Sequence, residues 1–252
     1  MKKMFILLFL FIPFLASAAE TKTIDHEGFK INRALSDQAS MWDGYVFGQP
    51  GHYASYSNDF FEYTAGDWTL TTTENGSGDA SEALADEVYG IISISLDNSL
   101  NDADGFQLGA ESFKPTAGKN IYFETKLKMS DATDTDILFG LVVTDTSPEA
   151  HANGIVFEKD DADTQWDFKT TASSVTSSES NIATAQTTNY VTLGFRVIGT
   201  SHVEYWVDDI YQGVLTSSIP STDLRPTMYY LNGTEGDSEI LNIDYIFVSQ
   251  ER

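Results

Sequence analysis

Clusters of acidic residues are the part of this sequence best suited to chemistry. Asp160, Asp161 and Asp163 form one cluster, and Asp102 and Asp104 form another. Calcium prefers several carboxylate oxygens, so both clusters are candidate calcium sites. The interpretation we favour for each is a solvated turn. In the second cluster an EF-hand register would put Leu100 at the first ligand position, where it cannot bind a cation.

Other reactive groups are sparse. The chain has no Cys and only four His, which are scattered, so a thiol nucleophile, a disulfide framework and a zinc site are not expected. Asn75–Gly78 is too short a match to a serine nucleophile elbow, and no phosphate-binding loop or dinucleotide fingerprint occurs. We therefore predict no cofactor, with calcium as the one open possibility.

Aromatic residues flanked by polar ones suggest a third chemistry, the recognition of sugars. Trp206 shares a predicted outer strand face with Glu204, and Arg196 lies on the preceding strand. Trp166 alternates with Asp167 on another strand. Amphipathic rings supply apolar area with a polar tip, so Trp206, Glu204, Arg196 and Trp166 are candidate glycan-binding residues. Packing of the two tryptophans in the core is the interpretation we favour, and a protein interface is the other alternative.

The elements that would position these residues are short β-strands. Alternation of apolar and polar residues marks four of them: Ile121–Met129, Tyr190–Ile198, His202–Asp208 and Asn242–Val248. Ile137–Val143 is almost continuously apolar, which is typical of a central strand buried on both faces. Turn clusters recur between the strands, and this spacing predicts an all-β sandwich or barrel.

Three further segments carry local predictions. Asp208-Asp209 fits a hairpin turn between two strands. Ser173–Thr188 is rich in Ser, Thr and Ala, so we expect a loop or a weak edge strand there. Ala80–Glu87 is the best candidate for a helix.

The chain divides into three predicted parts. Residues 1–18 resemble a secretory signal peptide, with Lys2 and Lys3, an apolar stretch and an Ala16–Ala18 cleavage site; a buried N-terminal helix is the alternative. Residues 19–58 form a predicted extended arm, and residues 59–252 a β-sandwich. If the leader is used, the protein is extracellular or periplasmic.

The predicted arm, residues 19–58, contains several large apolar residues but little alternation. A solvated linker would not carry them, because exposed apolar patches are unfavourable without a partner. The arm is predicted either to wrap the sandwich of its own chain or to dock onto another protein subunit. A disordered tail is the third alternative.

Composition excludes several classes of partner. The chain has 14 basic and 38 acidic residues and a formal charge of −24. That charge argues against binding to nucleic acid or to an anionic membrane, both of which need basic surfaces. The hydrophobic content of 41% is too high for a disordered chain.

Three segments carry a resemblance to a known superfamily. Asn189–Phe195 and Val203–Asp208 resemble paired strands of concanavalin A-like jelly rolls, and Leu241–Val248 is similar to the closing strand of laminarinase-type glycoside hydrolases and their non-catalytic relatives. The resemblance implies a sandwich of two antiparallel sheets whose concave face binds glycans.

A narrower resemblance spans most of Asp59–Arg252. Gly66–Thr69, Ala110–Lys114, Ile121–Thr133 and Val142–Ser147 resemble jelly-roll structural proteins of marine tailed phages. This likeness implies a capsid-decoration or fibre-like role on the virion surface. It conflicts with an export signal, because tailed-phage heads assemble in the cytoplasm.

Laminarinase-type enzymes use carboxylates in a Glu-x-Asp-x-x-Glu spacing, and this chain offers only an incomplete match. Glu158 and Asp160 have the first spacing, but Asp163 replaces the final Glu. We therefore predict a non-enzymatic jelly roll displayed on a surface, with a virion role and possible glycan binding. The alternative is a secreted polysaccharide-binding module or glycoside hydrolase.

Overall fold

A computed structural model describes residues 21–26, 29–34, 40–46, 51–75, 80–85, 89–233 and 238–252, with only the backbone path given for those before Ser40. The chain forms two units, residues 1–39 and residues 40–252. In the first unit, β1 (Thr21–His26) pairs antiparallel with β2 (Phe29–Ala34). Among the described residues, no helix is long and apolar enough to span a membrane. The predicted signal peptide lies outside the described residues.

The second unit is built of strands and two short 3-10 turns, Ala65–Asp67 and Pro148–Ala150. Its strands are β3 (Tyr53–Asn58), β4 (Trp68–Thr73), β5 (Ser81–Leu84), β6 (Ile92–Ser95), β7 (Ala103–Leu108), β8 (Asn120–Met129), β9 (Thr135–Val142), β10 (Gly154–Lys159), β11 (Gln165–Ala172), β12 (Val175–Thr184), β13 (Val191–Ile198), β14 (His202–Val207), β15 (Ile210–Leu215), β16 (Arg225–Asn232) and β17 (Ile240–Glu251).

Two antiparallel sheets stack face to face. The front sheet has the order β12-β11-β10-β9-β16-β7-β4. The back sheet has the order β15-β14-β13-β8-β17-β6-β5, and β3 also pairs with β17. This is the predicted jelly-roll sandwich of two antiparallel sheets, which the structure confirms.

The core lies between the sheets and follows the predicted alternation. On β8, Ile121, Phe123, Leu127 and Met129 are fully buried. Phe123 stacks on Phe195 of β13 with the ring centroids 4.8 Å apart, an offset contact that aromatic pairs favour. Burial of this many large apolar side chains, at roughly 1.5–3 kcal/mol each, stabilises a domain that has no disulfides.

The central position predicted for Ile137–Val143 is also confirmed. This segment is β9, which lies fourth of seven in the front sheet. Phe139 and Leu141 face the core, while Leu138 and Val142 pack with Val156 on the outer face of the sheet. A strand with apolar contacts on both faces needs a near-continuous apolar sequence.

Two of the three local predictions hold and one is wrong. Asp208 and Asp209, with φ of 50° and 61°, form the turn between β14 and β15. Ser173–Thr188 contains β12, an edge strand. The helix predicted at Ala80–Glu87 is instead β5, which pairs with β6, so cross-strand pairing overrides its helical propensity; residues 86–88 lie outside the described part of the chain.

Part of the predicted arm belongs to the sandwich unit. β3 pairs with β17 over six residue pairs, and residues 40–46 lie on the outer face of the back sheet. There Trp42 stacks on Tyr122 with the centroids 6.1 Å apart, and Tyr45 meets the same ring edge-on at 5.0 Å. The sandwich unit thus begins at Ser40 rather than at the predicted residue 59.

Candidate functional site

A groove crosses the outer face of the front sheet. One cavity of about 440 Å³ lies over β11 and β12, and a smaller one of about 170 Å³ lies over β9 and β16. The two share Glu149 and Glu158, so they form one continuous depression. The other polar lining residues are Asp136, His151, Asp160, Lys169, Thr171, Ser174, Thr176, Ser178 and Tyr229.

Strand alternation places these side chains. On β10, Ile155 and Phe157 enter the core, which turns Glu158 outward. On β11, Trp166 and Phe168 enter the core, which turns Lys169 outward beside Glu158. The groove floor is therefore formed by the outward-facing residues of adjacent strands, which alternate with the core residues.

An ion pair lies at the centre of the groove. The Lys169 Nζ is 2.9 Å from Oε2 of Glu158 and 3.7 Å from Oδ2 of Asp160. The Glu158 side chain is only 13% exposed. Burial raises the pKa of Glu158 to about 7, although Lys169 opposes the shift. Glu158 therefore titrates near neutral pH.

Two neighbours of the pair are also shifted by burial. The pKa of Asp136, on β9, is raised by burial even though the backbone N–H of Asp161 donates to its carboxylate. The pKa of His151 is lowered by burial, and its Nδ1 lies 2.7 Å from the carbonyl oxygen of Pro148. At neutral pH His151 is uncharged, which leaves Lys169 as the cation facing the groove carboxylates.

The carboxylates are close, but their arrangement differs from the glycosidase spacing. Glu158 and Asp160 oxygens both lie within 3.7 Å of the Lys169 Nζ, so they are less than about 7 Å apart. Retaining glycosidases hold their two carboxyl groups about 5–5.5 Å apart. However, the residues that precede Glu158 on the same strand face are Val156 and Gly154, and Asp163 lies beyond the end of β10. Glu158 and Asp160 are thus suited to forming hydrogen bonds with a ligand.

The acidic turn follows β10. Glu158 is part of that strand, whereas Asp160, in the predicted solvated turn, is 58% exposed. The turn that contains Asp160, Asp161 and Asp163, the first predicted calcium site, surrounds the ammonium group of Lys159. Lys159 is buried, and its Nζ donates to the backbone carbonyls of Ala132 at 2.8 Å, Asp160 at 3.1 Å and Asp163 at 3.2 Å.

Asp102 and Asp104, the other calcium candidates, lie away from the groove. Both are fully buried at the start of β7, on the side of the front sheet that faces the back sheet. Within the described part of the chain, no three His, Asp or Glu side chains already converge on a point where a metal ion could bind.

The predicted glycan-binding residues are not in the groove. Trp166 lies in the core with no exposed surface, which is the core packing that the sequence analysis favoured and which rules it out as a glycan contact. Trp206, Glu204 and Arg196 are together on the outer face of the back sheet, as predicted. Arg196 Nε donates to Glu204 at 3.0 Å, and its guanidinium carbon lies 5.7 Å from the Trp206 ring centre.

This cluster anchors the segment 40–46 rather than lining an open surface. Arg196 Nη1 donates to the carbonyl oxygen of Asp43 at 2.6 Å, and Trp206 is only 2% exposed.

The groove residues that the sequence analysis missed are Asp136, Glu149, His151, Lys169 and Tyr229. The alternation of Lys169 with Phe168 and Thr170 could have indicated that Lys169 faces outward. It could not have indicated that β11 pairs with β10, which is what brings Lys169 next to Glu158.

Comparison with known proteins supports the fold assignment. No protein-family model and no curated protein matches the chain. Among solved structures, the chain is similar to an endo-1,3-beta-glucanase from Streptomyces sioyaensis, with a TM-score of 0.58, 12% identity, and coverage of 81% of this chain and 99% of the other. It is also similar to a Bacillus licheniformis beta-glucanase, with a TM-score of 0.57, 16% identity, and coverage of 79% and 99%.

A third similar structure, the carbohydrate recognition domain of Emp46p, has a TM-score of 0.52, 13% identity, and coverage of 77% of this chain and 95% of the other. These similarities support the fold, a jelly-roll sandwich of two antiparallel sheets, and at these identities they show the fold alone. These structures give no support to the narrower resemblance to phage proteins.

Proposed function

We propose that this protein binds a neutral polysaccharide in the groove of the front sheet without cleaving it. The observation that carries the proposal is the Glu158–Lys169 pair, which lies half-buried in a groove that crosses several strands. Paired charges with hydroxyl side chains around them offer both donors and acceptors to sugar hydroxyl groups.

The charge of the groove selects against anionic glycans. Glu149, Asp136, Glu158 and Asp160 contribute carboxylates, and Lys169 contributes one ammonium that two of them already share. Like charges brought together in a partly buried groove repel each other. A uronic-acid or sulfated polymer would therefore be disfavoured, and a neutral one is the ligand class that fits.

Binding is favoured over hydrolysis because glycoside hydrolysis needs a second carboxylate on the opposite side of the scissile bond, and Gly154 and Val156 occupy the preceding outward positions of β10. The similar solved structures include glucanases and a carbohydrate recognition domain, which supports the ligand class.

Hydrolysis is the second candidate function, and one observation favours it. A carboxyl group with a pKa of about 7 can serve as a general acid at neutral pH, and Glu158 is such a group.

The test measures binding and cleavage separately. Affinity for soluble β-1,3- and β-1,3-1,4-glucans is measured by affinity electrophoresis and calorimetry, and release of reducing ends is followed from pH 5 to 8. We expect binding without release, and at least tenfold weaker binding for Lys169→Met. Lys126→Met is the matched control, because Lys126 is a partly exposed, ion-paired lysine on the back sheet.

Two results would overturn the binding proposal. One is the absence of binding to every neutral glucan tested; the other is equal binding by the parent and the Lys169→Met variant. Release of reducing ends that Glu158→Gln abolishes, with binding retained, would establish the hydrolase.

Export and display on a virion are two alternative locations that we propose for this protein, and both rest on the sequence alone. The apolar leader and its Ala16–Ala18 site support export, and the resemblance to phage proteins supports display on a virion. Intact mass of the protein from its native source distinguishes the two. A mass beginning at Ala19 supports export, and a mass that retains residues 1–18 contradicts it.

A further inference from the structure

A cavity on the outer face of the back sheet lies apart from the glycan groove. Its volume is about 350 Å³, which is within the range of small-molecule sites. Three of its lining residues form one row across adjacent strands, because Glu124 of β8 is opposite Phe247 of β17, which is opposite Ser57 of β3. The other lining residues are Trp42, Asn58, Asp59, Tyr245 and Ile246.

A β-bulge in β17 brings an additional aromatic residue to this cavity. Ile243 and Ile246 both enter the core although they are three positions apart, where an undistorted strand would have an even spacing. The pairing of β17 with β8 shifts register between Ile243 and Tyr245. Tyr245 therefore lines the cavity together with Phe247. Bulges are frequent next to active sites, where they re-aim a side chain.

Three aromatic rings, those of Trp42, Tyr245 and Phe247, line the cavity, and the fold holds them in place. Trp42 meets Phe247 at 65° with the ring centroids 5.4 Å apart, and it stacks on Tyr122. The Tyr245 hydroxyl donates to Oε1 of Glu124 at 2.5 Å. Fixed rings set at steep angles to each other resemble the aromatic cages that bind alkylated ammonium groups through cation–π contacts.

The charged groups at the cavity favour a cation. Glu124 and Asp59 contribute two carboxylates, and the lining includes no Lys, Arg or His among the residues described. Within the described part of the chain, the only hydrogen bond to Glu124 comes from Tyr245 to Oε1, which leaves Oε2 for a ligand. Lys126, two residues along β8, is held 2.5 Å from Asp244 instead. A cation therefore complements this cavity, and an anion would be repelled.

From these observations we propose that the cavity binds a small quaternary ammonium ion, with its methyl groups against Trp42, Tyr245 and Phe247 and with Glu124 as the counter-charge. A primary ammonium group fits less well, because it is strongly hydrated and has three N–H donors that all need acceptors. A quaternary nitrogen has no N–H group, so its methyl groups can pack on the rings. This site is independent of the glycan groove, which lies on the other sheet.

The experiment titrates the full chain with choline chloride at pH 8 in 150 mM NaCl, where diffuse attraction to the acidic surface is screened. Binding is followed by calorimetry and by tryptophan fluorescence. Trp68, Trp166 and Trp206 are buried, so the fluorescence of the fourth tryptophan, Trp42, should respond. The neutral carbon analogue of choline, in which a tert-butyl group replaces trimethylammonium, should bind at least about tenfold more weakly, because it has the shape without the charge.

Variants locate the site. Glu124→Gln keeps the size of the side chain and removes its charge, so it should weaken choline binding at least about tenfold. Glu179→Gln, at an exposed position of β12, is the matched control and should bind choline like the parent. Tyr245→Leu should also weaken binding at least about tenfold, because one of the three rings is lost. It provides the comparison if Glu124→Gln does not fold.

The proposal is overturned if the parent does not bind choline, or if it binds choline and the neutral analogue equally, which would indicate a purely apolar cavity. Equal binding of choline by Glu124→Gln and Glu179→Gln would also overturn it. Vesicles of phosphatidylcholine distinguish a lipid head group from a free ion. We expect no co-sedimentation with them, and co-sedimentation that Glu124→Gln abolishes would overturn the assignment to a free ion. None of these outcomes depends on whether the groove binds glycans.

Discussion

The sulfur of Met41 lies directly over Gly194 of β13, only 2.5 Å from where a Cβ atom on that glycine would stand. No side chain fits between them, so the segment 40–46 depends on a glycine in the strand below it. Gly194→Ala should therefore displace Met41 and lower the free energy of unfolding by about 1–3 kcal/mol, as overpacking does. Thermal unfolding measures the effect.

Gly66→Ala is the matched control for this prediction, because no atom lies within 4 Å of the added carbon there. A second comparison removes the clash. Adding Met41→Ala to Gly194→Ala should cost less than the sum of the two single changes. Additive losses would mean that Met41 does not depend on Gly194.

Lys159 should be the lysine whose loss most destabilises the fold. Lys159→Met leaves three backbone carbonyls without their donor and removes the positive charge near Asp131, Asp161 and Asp163. We expect a loss of roughly 3–5 kcal/mol in denaturant unfolding. Lys114→Met, an exposed lysine 3.8 Å from Asp223, should change stability by less than about 1 kcal/mol. Equal effects of the two changes would contradict the assigned role of Lys159.

Stability should fall as pH rises from about 4.5 to 7. The folded-state pKa of Glu158, about 7, lies above its ordinary value of 4.5, so the folded protein binds a proton that the unfolded chain has released. The stabilisation from that proton is complete below the unfolded pKa and is lost through the folded pKa. Tm measured from pH 4.5 to 8 should show this slope, and Glu158→Gln should flatten it. An unchanged slope in the variant would refute the assignment.

Trp206 should contribute to stability and not to glycan binding. It is buried beside Arg196 and meets Tyr211 edge-on with the ring centroids 5.5 Å apart. Trp206→Phe should lower the Tm, since ring area and the contact with Arg196 are lost. Its glucan affinity, measured by calorimetry well below the Tm, should equal that of the parent. Loss of affinity in the folded variant would mean that Trp206 contributes to glycan binding.

The predicted arm can be tested by two truncations. Met41 is buried, and Trp42 and Tyr45 pack on Tyr122, so deleting residues 19–46 should lower the Tm more than deleting residues 19–39. The shorter deletion addresses the predicted docking onto another subunit. Light scattering should then show a smaller assembly with an unchanged Tm. An assembly of unchanged size would end the docking hypothesis.

The sequence predicted the strands well where one face is apolar and the other polar. In β8 and β13 the alternation alone indicates which residues enter the core. It failed at Ala80–Glu87, because helical propensity takes no account of the pairing of β5 with the next strand, β6. Trp166 shows the value of the same pattern: Phe168 lies on the same side of β11, and this apolar pair marks the core face that the sequence analysis favoured for Trp166.

The groove was not predictable in the same way. Glu158, Lys169 and Asp136 come from three strands, and their proximity depends on the register of β9, β10 and β11. A period-two pattern fixes which face a residue occupies but leaves its cross-strand neighbour undefined. Gly194 did carry a readable signal, since a glycine inside a strand often marks the close approach of another segment.

The position of β12 at the end of the front sheet has a consequence for the length of the ligand. The groove reaches Thr176 and Ser178 on this strand, and among the described strands of the front sheet none lies beyond it. A polymer that lies across the strands can therefore continue past β12. The bound glycan does not have to end inside the groove. Affinity should rise with oligosaccharide length until the groove is filled and then stay level, as expected for a protein that recognises internal segments of a glycan.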